Sequence, residues 1–487
     1  MHNSHKTSLA YIILFVIAIV YVTLFSFSTS FLYPHMAFVG NDSSQFLTIG
    51  KAWYLGKIPY RDMFDHKGPF IFFVDLIGFF ITGGKTHFGV SIIQILFLFC
   101  TITAIYKISQ LAHKSSFSGY ICVFITLILM RNNYAEGNSV EEYCLPFICW
   151  SAYFLIRDLC STDNFFDYRL GFLYGITAGI CFLTRITNFI PLCGMLLIYI
   201  FTLITSKDFK RFFKSAITFI LGMALVCCPF IIYFAYNNTL SEMFYASFTY
   251  NVEYALGMES WVLSRNLTTY FKAVFYFFLS FLLFPAGLLA LSNNRKKIAV
   301  AYFLTCLVEV YFFTQGNAFV QYALVCTCQV PMFLNELTIR KTNSDKKNLL
   351  LKLLVFIFVL FLCVSCVQTL RTTYNRLKTD SSVDLAWDAL VKEIPEEDKN
   401  NIVLYGGNEF KGSYLAFDIM PCYKYHIIQE WHSNFSEYVR NDIHASFETL
   451  DAKWILTDSN VNVISDILAS SYSVYDQVDG YYLYKRN

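Results

Sequence analysis

Long apolar runs recur along most of the first 370 residues, separated by short polar stretches. A hydrocarbon core of about 30 Å takes roughly 20 apolar residues per helix. Runs of that order lie at 9–29, 88–107, 117–133, 143–157, 170–186, 188–205, 215–236, 268–291, 298–314, 317–336 and 349–370, eleven in all. A further run, 70–83 ("FIFFVDLIGFFITG"), is shorter and carries Asp75. The basic connectors decide its status: "KISQLAHK" (107–114), "RDLCSTDNFFDYR" (157–169), "SKDFKRFFK" (206–214), "NNRKK" (293–297) and "TIRKTNSDKK" (338–347). Lys and Arg concentrate on the cytoplasmic side of short loops. With the N-terminus inside and 70–83 not counted as a span, all five connectors fall on that side; counted as a span, it would put all five outside. Segment 70–83 is therefore expected to be a juxtamembrane element at the outer interface, with its aromatics at headgroup level.

This parity leaves four regions outside: 30–87, 134–142, 237–267 and a tail from about 371. The tail alternates strand-like runs ("NIVLYGG", "KYHIIQ", "AKWILTD", "YYLYKR") with helical patterns ("NFSEYVRNDIHASFETL", "VNVISDILASSY"), the mark of a small α/β domain. The expected fold class is a polytopic α-helical membrane protein of about 11 transmembrane helices with a small extracytoplasmic C-terminal α/β domain. Its parts are a membrane domain over 1–370, including an outer juxtamembrane loop 30–87, and the outer domain over 371–487.

Composition agrees: of 487 residues 56% are hydrophobic and 15% charged, with a mean hydropathy of +0.47. The net charge of +2, without a dense Lys/Arg run, excludes nucleic acid as a partner. Most of the 15 cysteines lie inside apolar runs, as small hydrophobes, and beyond the last run only Cys422 remains, so the tail has no internal disulfide. The opening "MHNSHKTSLAYIILF" lacks a small-residue cleavage site, which predicts an uncleaved first helix. No P-loop, dinucleotide fingerprint, HExxH or Gly-x-Ser-x-Gly elbow is present.

The outer loop "VGNDSSQFLTIGKAWYLGKIPYRDMFDHKGPF" (39–70) is the most charged stretch between apolar runs. Phe46, Ile49, Ala52, Trp53 and Leu55 predict a surface helix with Asp42 at or near its start. Asp42 is then either a helix cap, worth about 1 kcal/mol, or a free carboxylate facing a site. Gly56, Pro59, Gly68 and Pro69 bend the second half, which packs Tyr60, Arg61, Asp62, Asp65, His66 and Lys67 together. A Lys fixed by a Gly-Pro turn at headgroup depth suits a phosphate.

A first helix, an outer loop with an early Asp, "LGKIPYRDMFDHKGP" (55–69) and an aromatic-rich juxtamembrane run follow one another in this order. The arrangement resembles the GT-C superfamily of polyprenyl-phosphate-sugar-dependent glycosyltransferases, near bacterial relatives of the protein O-mannosyltransferases and the lipid A aminoarabinose transferase. The resemblance implies that Asp42 is the catalytic base or acceptor-binding carboxylate. The family's usual Asp-Glu pair is departed from, since Ser43 follows. The family's Lys-Pro-Pro element at the donor phosphate matches Lys67, Gly68 and Pro69, with glycine in place of one proline. An acid of the second outer loop, Glu141 or Glu142, with Glu136 farther off, would stand beside Asp42; the alternative is a solvated helix start.

Arg185, at the outer end of an apolar run, is a site candidate or a snorkelling side chain, and Glu309 poses the same question. Tyr250, Asn251, Glu253, Tyr254 and Trp261 of the third loop either border a groove or line the interface. The expected activity is transfer of a sugar from a polyprenyl-phosphate donor to a glycan, lipid or protein acceptor at the outer face of a bacterial cytoplasmic membrane, with inversion. Asp42 would handle the acceptor hydroxyl. Lys67 and Arg185, with Arg61 or His66, would bind the donor phosphate, and Tyr60, Asp62 and Asp65 would support them. No cofactor is required, although a divalent cation between Asp42 and a second-loop glutamate would suit the carboxylates. A flippase or transporter for lipid-linked saccharides predicts mid-membrane charges and internal symmetry. A polysaccharide polymerase or ligase predicts a large central outer loop, and a membrane scaffold predicts an idle Asp42.

Overall fold

The computed structural model describes residues 2–38, 40–112, 115–160, 167–257, 277–313, 319–339, 345–378 and 386–487. Trp261 and the third outer loop from 258, the first part of the run 268–291, and connector residues 113–114, 161–166 and 340–344 lie outside the described residues. Elsewhere the eleven apolar runs are helical over most of their length. They correspond to α1 (His2–Phe25), α4 (Gly89–Ser109), α5 (Ser116–Arg131), α6 (Leu145–Cys160), α7 (Leu170–Phe182), α8 (Ile190–Thr205), α9 (Phe209–Tyr236) and the helical segments within 278–292, 296–313, 320–338 and 345–378. Among the described residues, five helices are long and apolar enough to cross a membrane singly: Ser8–Phe25, Gly89–Ser109, Ile186–Thr205, Phe209–Tyr236 and Val355–Lys378. The others are shorter, more polar or divided between 3-10 and α turns.

The outer loop folds into two helices of 13 residues, α2 (Asp42–Tyr54) and α3 (Pro69–Ile81), which pack together. Pro69 opens α3 at a position where its missing N–H costs nothing. Thirteen residues rise about 20 Å, short of a bilayer core, which suits the juxtamembrane reading. The last long helix, Asp345–Lys378, runs past the expected boundary at 370 without a break, and the compact C-terminal unit is described from 386.

That unit holds one four-stranded sheet in the order β1-β2-β4-β3: β1 (Ile402–Tyr405), β2 (Trp454–Thr457), β3 (Tyr472–Val478) and β4 (Tyr481–Arg486). β1 and β2 are parallel, while β4 runs antiparallel to both β2 and β3. "KYHIIQ" is not a strand, contrary to expectation. Ile428 adopts a left-handed conformation (φ 46°) that no strand tolerates, and the Gln429 amide donates to the carbonyls of Leu404 (2.8 Å) and Tyr425 (2.6 Å) in place of a ladder. The hairpin strand β3, which sequence periodicity left out, completes the sheet instead. The expected helices appear as Glu437–Glu448 and Ser465–Ser471.

Period-two alternation sends the faces of β1 to different cores. Ile402 and Leu404 join Trp387, Leu390, Trp454 and Leu456 on one side. Val403 and Tyr405 join Ile455, Phe447 and, continuously, Phe46, Ile49, Phe64 and Phe72 of the outer loop on the other. One apolar core therefore spans the sheet and the outer loop, and the polar site lies at its edge.

Candidate active site

Asp42 is the first residue of α2 but does not cap it. Asn41 is the cap: its Oδ1 accepts from Ser44 N at 2.9 Å, and Ser44 Oγ accepts from Asn41 N at 3.3 Å, a reciprocal capping box. The Asp42 carboxylate is thus released from capping, and half of its side chain is open (51%). Its Oδ1 accepts from the ammonium of Lys411 at 2.6 Å. Lys411 belongs to the C-terminal unit, on a 3-10 turn (Asn408–Gly412) just beyond β1, and only 7% of its side chain is exposed. Enclosure of the site works against ionisation of Asp42, but Lys411 and then Lys67 outweigh it and hold the carboxyl below its ordinary value.

The bend from 56 to 68 is stitched at both ends. Tyr60, held at φ 69°, donates its hydroxyl to the Lys67 carbonyl at 2.7 Å, and its N–H reaches Met63 O at 2.8 Å. A bulky residue in the left-handed region carries a cost of order 1–3 kcal/mol, borne only where the surroundings fix it. Asp65, buried, accepts from Lys67 N at 2.7 Å through Oδ1 and from the Gln45 amide through Oδ2, and its burial raises the carboxyl to about 6. Gly68 N and Phe70 N both donate, at 3.1 Å, to Thr184 O and Leu183 O of the corner after α7. That corner carries Arg185, so Lys67 and Arg185 are brought to one place.

The departure from the resemblance at Gly68 now has a physical cause. A Cβ at this position would overlap the Leu183 carbonyl, and a proline would lack the N–H that Thr184 O accepts. Lys67 Nζ stands 2.6 Å from His66 Nε2; burial first, with Lys67 and His432 adding to it, keeps this imidazole neutral. Burial also lowers the Lys67 ammonium, with Asp42 and Asp65 opposing. Arg185 lies 3.6 Å from Glu141 Oε1 and covers the Tyr322 ring, its guanidinium 3.2 Å from the centroid. Burial raises the Glu141 carboxyl, and Arg185 opposes that.

Asp42, Asp65, His66, Lys67, Glu141 and Arg185 therefore lie in one cluster. Five candidates stand apart from it. Arg61 is exposed and bound to Asp62 through two hydrogen bonds (2.8 and 2.9 Å), while Asp62 also accepts from Ile58 N at 2.7 Å, so this pair fixes the turn at the surface. Glu142 accepts from Gln94 and from Asn138 N, both at 2.9 Å, and from the Tyr134 hydroxyl, which makes it the hub of a buried network. Asn138 extends that network to Ser43 (3.1 Å) and Asp75 (3.4 Å). Glu136 pairs with Arg376 at 2.7 Å, and Glu309 is enclosed with Gln329 and Cys326.

From the third loop, Asn251 donates to His66 O at 2.7 Å, Glu253 accepts from Tyr245 (3.1 Å), and Tyr250 meets His432 Nδ1 at 2.9 Å. Tyr254 and Trp431, ring centroids 5.3 Å apart, flank His66. Sequence reasoning missed Lys411, Trp431 and His432. All three lie at the carboxyl end of β1, the rim from which parallel strands present functional loops. The signal was the Gly406-Gly407 pair after "IVLY"; the strained Ile428, tied to Gly406 O at 2.9 Å, turns the Gln429–Ser433 helix so that Trp431 and His432 face His66.

Residues 2–349 match the family model described as "Putative competence-induced protein Ccs4 N-terminal domain". Among solved structures, the chain is similar to ArnT from Cupriavidus metallidurans in the apo state (TM-score 0.61, 13% identity, 98% of each chain covered). The same protein bound to undecaprenyl phosphate gives a TM-score of 0.59 at 13% identity over 97% of each chain. The Archaeoglobus fulgidus oligosaccharyltransferase in complex with Zn and sulfate gives 0.50 at 14% identity, covering 91% of this chain and 68% of that one. Comparison with curated proteins finds no match. The fold is therefore the GT-C fold, as the outer-loop resemblance implied.

Proposed function

This chain belongs to the competence-induced Ccs4 N-terminal-domain family, and we propose that it is a membrane glycosyltransferase using a polyprenyl-phosphate-linked sugar at the outer face of a bacterial cytoplasmic membrane. The observation that carries the reading is the half-open Asp42 carboxylate in one cluster with Lys67 and Arg185. A GT-C fold shared with a protein that binds undecaprenyl phosphate supports it. The donor's lipid tail stays among the helices while its phosphate meets Lys67 and Arg185. Asp42 orients an acceptor hydroxyl and takes its proton as the oxygen attacks the anomeric carbon. The bond from that carbon to the phosphate oxygen breaks on the opposite side, inverting the centre. Lys67 and Arg185 offset the charge that grows on the departing phosphate. Because His66 is held neutral, it hydrogen-bonds to Lys67 without competing for the phosphate. The acceptor is a glycan, a lipid or a protein, and the C-terminal domain, lying outside, borders its approach.

The test compares envelope glycans of a deletion strain carrying wild type or Asp42→Asn. Wild type restores the missing sugar and the asparagine variant, expressed to the same level, does not. Full restoration by Asp42→Asn removes Asp42 from the chemistry. A reporter fused after Lys378 should be active outside the cell, and cytoplasmic activity would reverse the topology.

A further inference from the structure

We propose that Lys411 is the positioning residue for Asp42 and occupies the place beside this carboxylate that a divalent cation would otherwise hold. The inference rests on the transferase reading above. The GT-C relative of Archaeoglobus fulgidus was solved in complex with Zn and sulfate, so the donor set of this chain bears on whether a cation has room. Asp42 Oδ1 is taken by the Lys411 ammonium at 2.6 Å. Glu141 faces the Arg185 guanidinium, Glu142 is committed to Tyr134, Gln94 and Asn138, and Asp65 to Gln45 and Lys67 N. Among the described residues no pair of free carboxylates remains at this site to bridge a cation, and the position after Asp42, where the resemblance expects a second acid, is Ser43. An ammonium with one carboxylate supplies the single positive charge that such a site leaves uncompensated.

The placement is built into the backbone. Gly40, at φ 77°, has the carbonyls of Asn408 and Glu409 where its Cβ would stand, and Gly412 has the Phe38 backbone. Two glycines, one in each segment, let the Gly40 backbone approach the carbonyls of Asn408 and Glu409, and the Phe38 backbone approach Gly412, where a Cβ on either glycine would intervene. Lys411 is thereby carried to the start of α2 and buried, with Asp42 as its anionic partner. Because Lys411 takes Oδ1, the open half of the carboxylate is left for the acceptor hydroxyl. Lys411 itself is enclosed and does not touch the substrate.

The experiment uses washed membranes of the deletion strain carrying the full chain, stripped of divalent cations with EDTA. Transfer is followed as incorporation of labelled sugar from the strain's own lipid extract. Wild-type transfer is expected to survive EDTA within about twofold. Lys411→Ala should lose about a hundredfold, the scale of a misplaced catalytic group, and recover at least about tenfold with ethylamine but not with ethanol. Lys411→Arg, which keeps the charge, should retain more than about a tenth of wild-type transfer. Loss of wild-type transfer in EDTA with recovery on adding Zn or Mn overturns the proposal, as does an active Lys411→Ala or one that folds and ignores amines. If Lys411→Ala does not fold, the EDTA arm and Lys411→Arg decide. An active Asp42→Asn, or wild type that transfers nothing under any condition, is instead the failure of the transferase reading.

Discussion

Replacing Gly68 by alanine disturbs the phosphate side of the site without altering a charge. A Cβ on Gly68 would fall on the carbonyl carbon and oxygen of Leu183, more than 1 Å inside the ~3.5–4.0 Å separation that carbon atoms prefer, and 2.9 Å from Thr184 N. These are backbone atoms of a tight corner, so they cannot swing aside as the tip of a side chain would. If the contact is endured, overpacking of this kind costs about 1–3 kcal/mol. If the loop withdraws, it gives up the bonds from Gly68 N and Phe70 N, each 3.1 Å and each worth about 1 kcal/mol. Both routes lead to a loss near 2 kcal/mol. Withdrawal also moves Lys67, the preceding residue, by about 1 Å relative to Arg185, a displacement that can cost about a hundredfold in rate. The assay pairs thermal unfolding of the full chain in detergent with titration by undecaprenyl phosphate. Gly68→Ala should lower the unfolding midpoint and weaken binding at least about tenfold, and Gly68→Pro, which also loses the donor, should do both more severely. Wild-type unfolding and wild-type affinity in Gly68→Ala would refute the account of Lys67 placement.

Arg61→Ala should leave transfer within about twofold of wild type and cost at most ~1 kcal/mol, the worth of an exposed pair, whereas Lys67→Met should lose about a hundredfold or more; equal losses in a side-by-side complementation assay would return Arg61 to the site. Glu142→Ala should destabilise the protein by about 3 kcal/mol or more, since three buried donors lose their acceptor at ~1–3 kcal/mol each, and Glu142→Gln should recover part of it in melting curves. Burial raises the Asp65 carboxyl to about 6 from 3.8. The stability it contributes is present below its ordinary value and is lost as pH rises through about 6. Relative to Asp65→Asn, wild type should therefore become less stable between about pH 4 and 6, and a constant difference across that window in chemical denaturation would contradict the assignment.

Much of the site was legible because it rests on local and topological signals. The basic connectors fix which loops share a face, and that alone predicts that Asp42, Lys67, Glu141 and Arg185 can meet. Roles within a loop are harder to read, since neighbouring residues can point to different surroundings. Glu141 and Glu142 are adjacent, yet one meets Arg185 and the other closes a buried network. Arg61 and Lys67 share one bend, but Asp62 holds Arg61 at the surface. Asn41 and Asp42 are both good caps, and the cap falls to Asn41 because Ser44 can reciprocate. "KYHIIQ" looked like a strand because burial alone makes an apolar run. Here the residues are buried by crossing beneath the end of β1, where the Gln429 side chain satisfies the backbone.

Lys411 lies beyond the reach of such reasoning, because its pair with Asp42 joins residues 369 positions apart. What sets that distance to contact is the shared core. Val403 and Tyr405 of the sheet pack into the same cluster as Phe46, Phe64 and Phe72 of the outer loop. Around its margin Phe64 N donates to Lys424 O at 2.8 Å, Lys51 pairs with Asp418, and Tyr250 meets His432. A C-terminal domain that only selected the acceptor could ride on a tether. This one is the apolar cover of the loop that bears Lys67 and Asp65, so removing it would strip the site of its floor before any question of acceptor choice arose. Its influence on specificity is therefore best sought in single side chains at the rim of β1, where Trp431 and Tyr254 flank His66, and not in truncation.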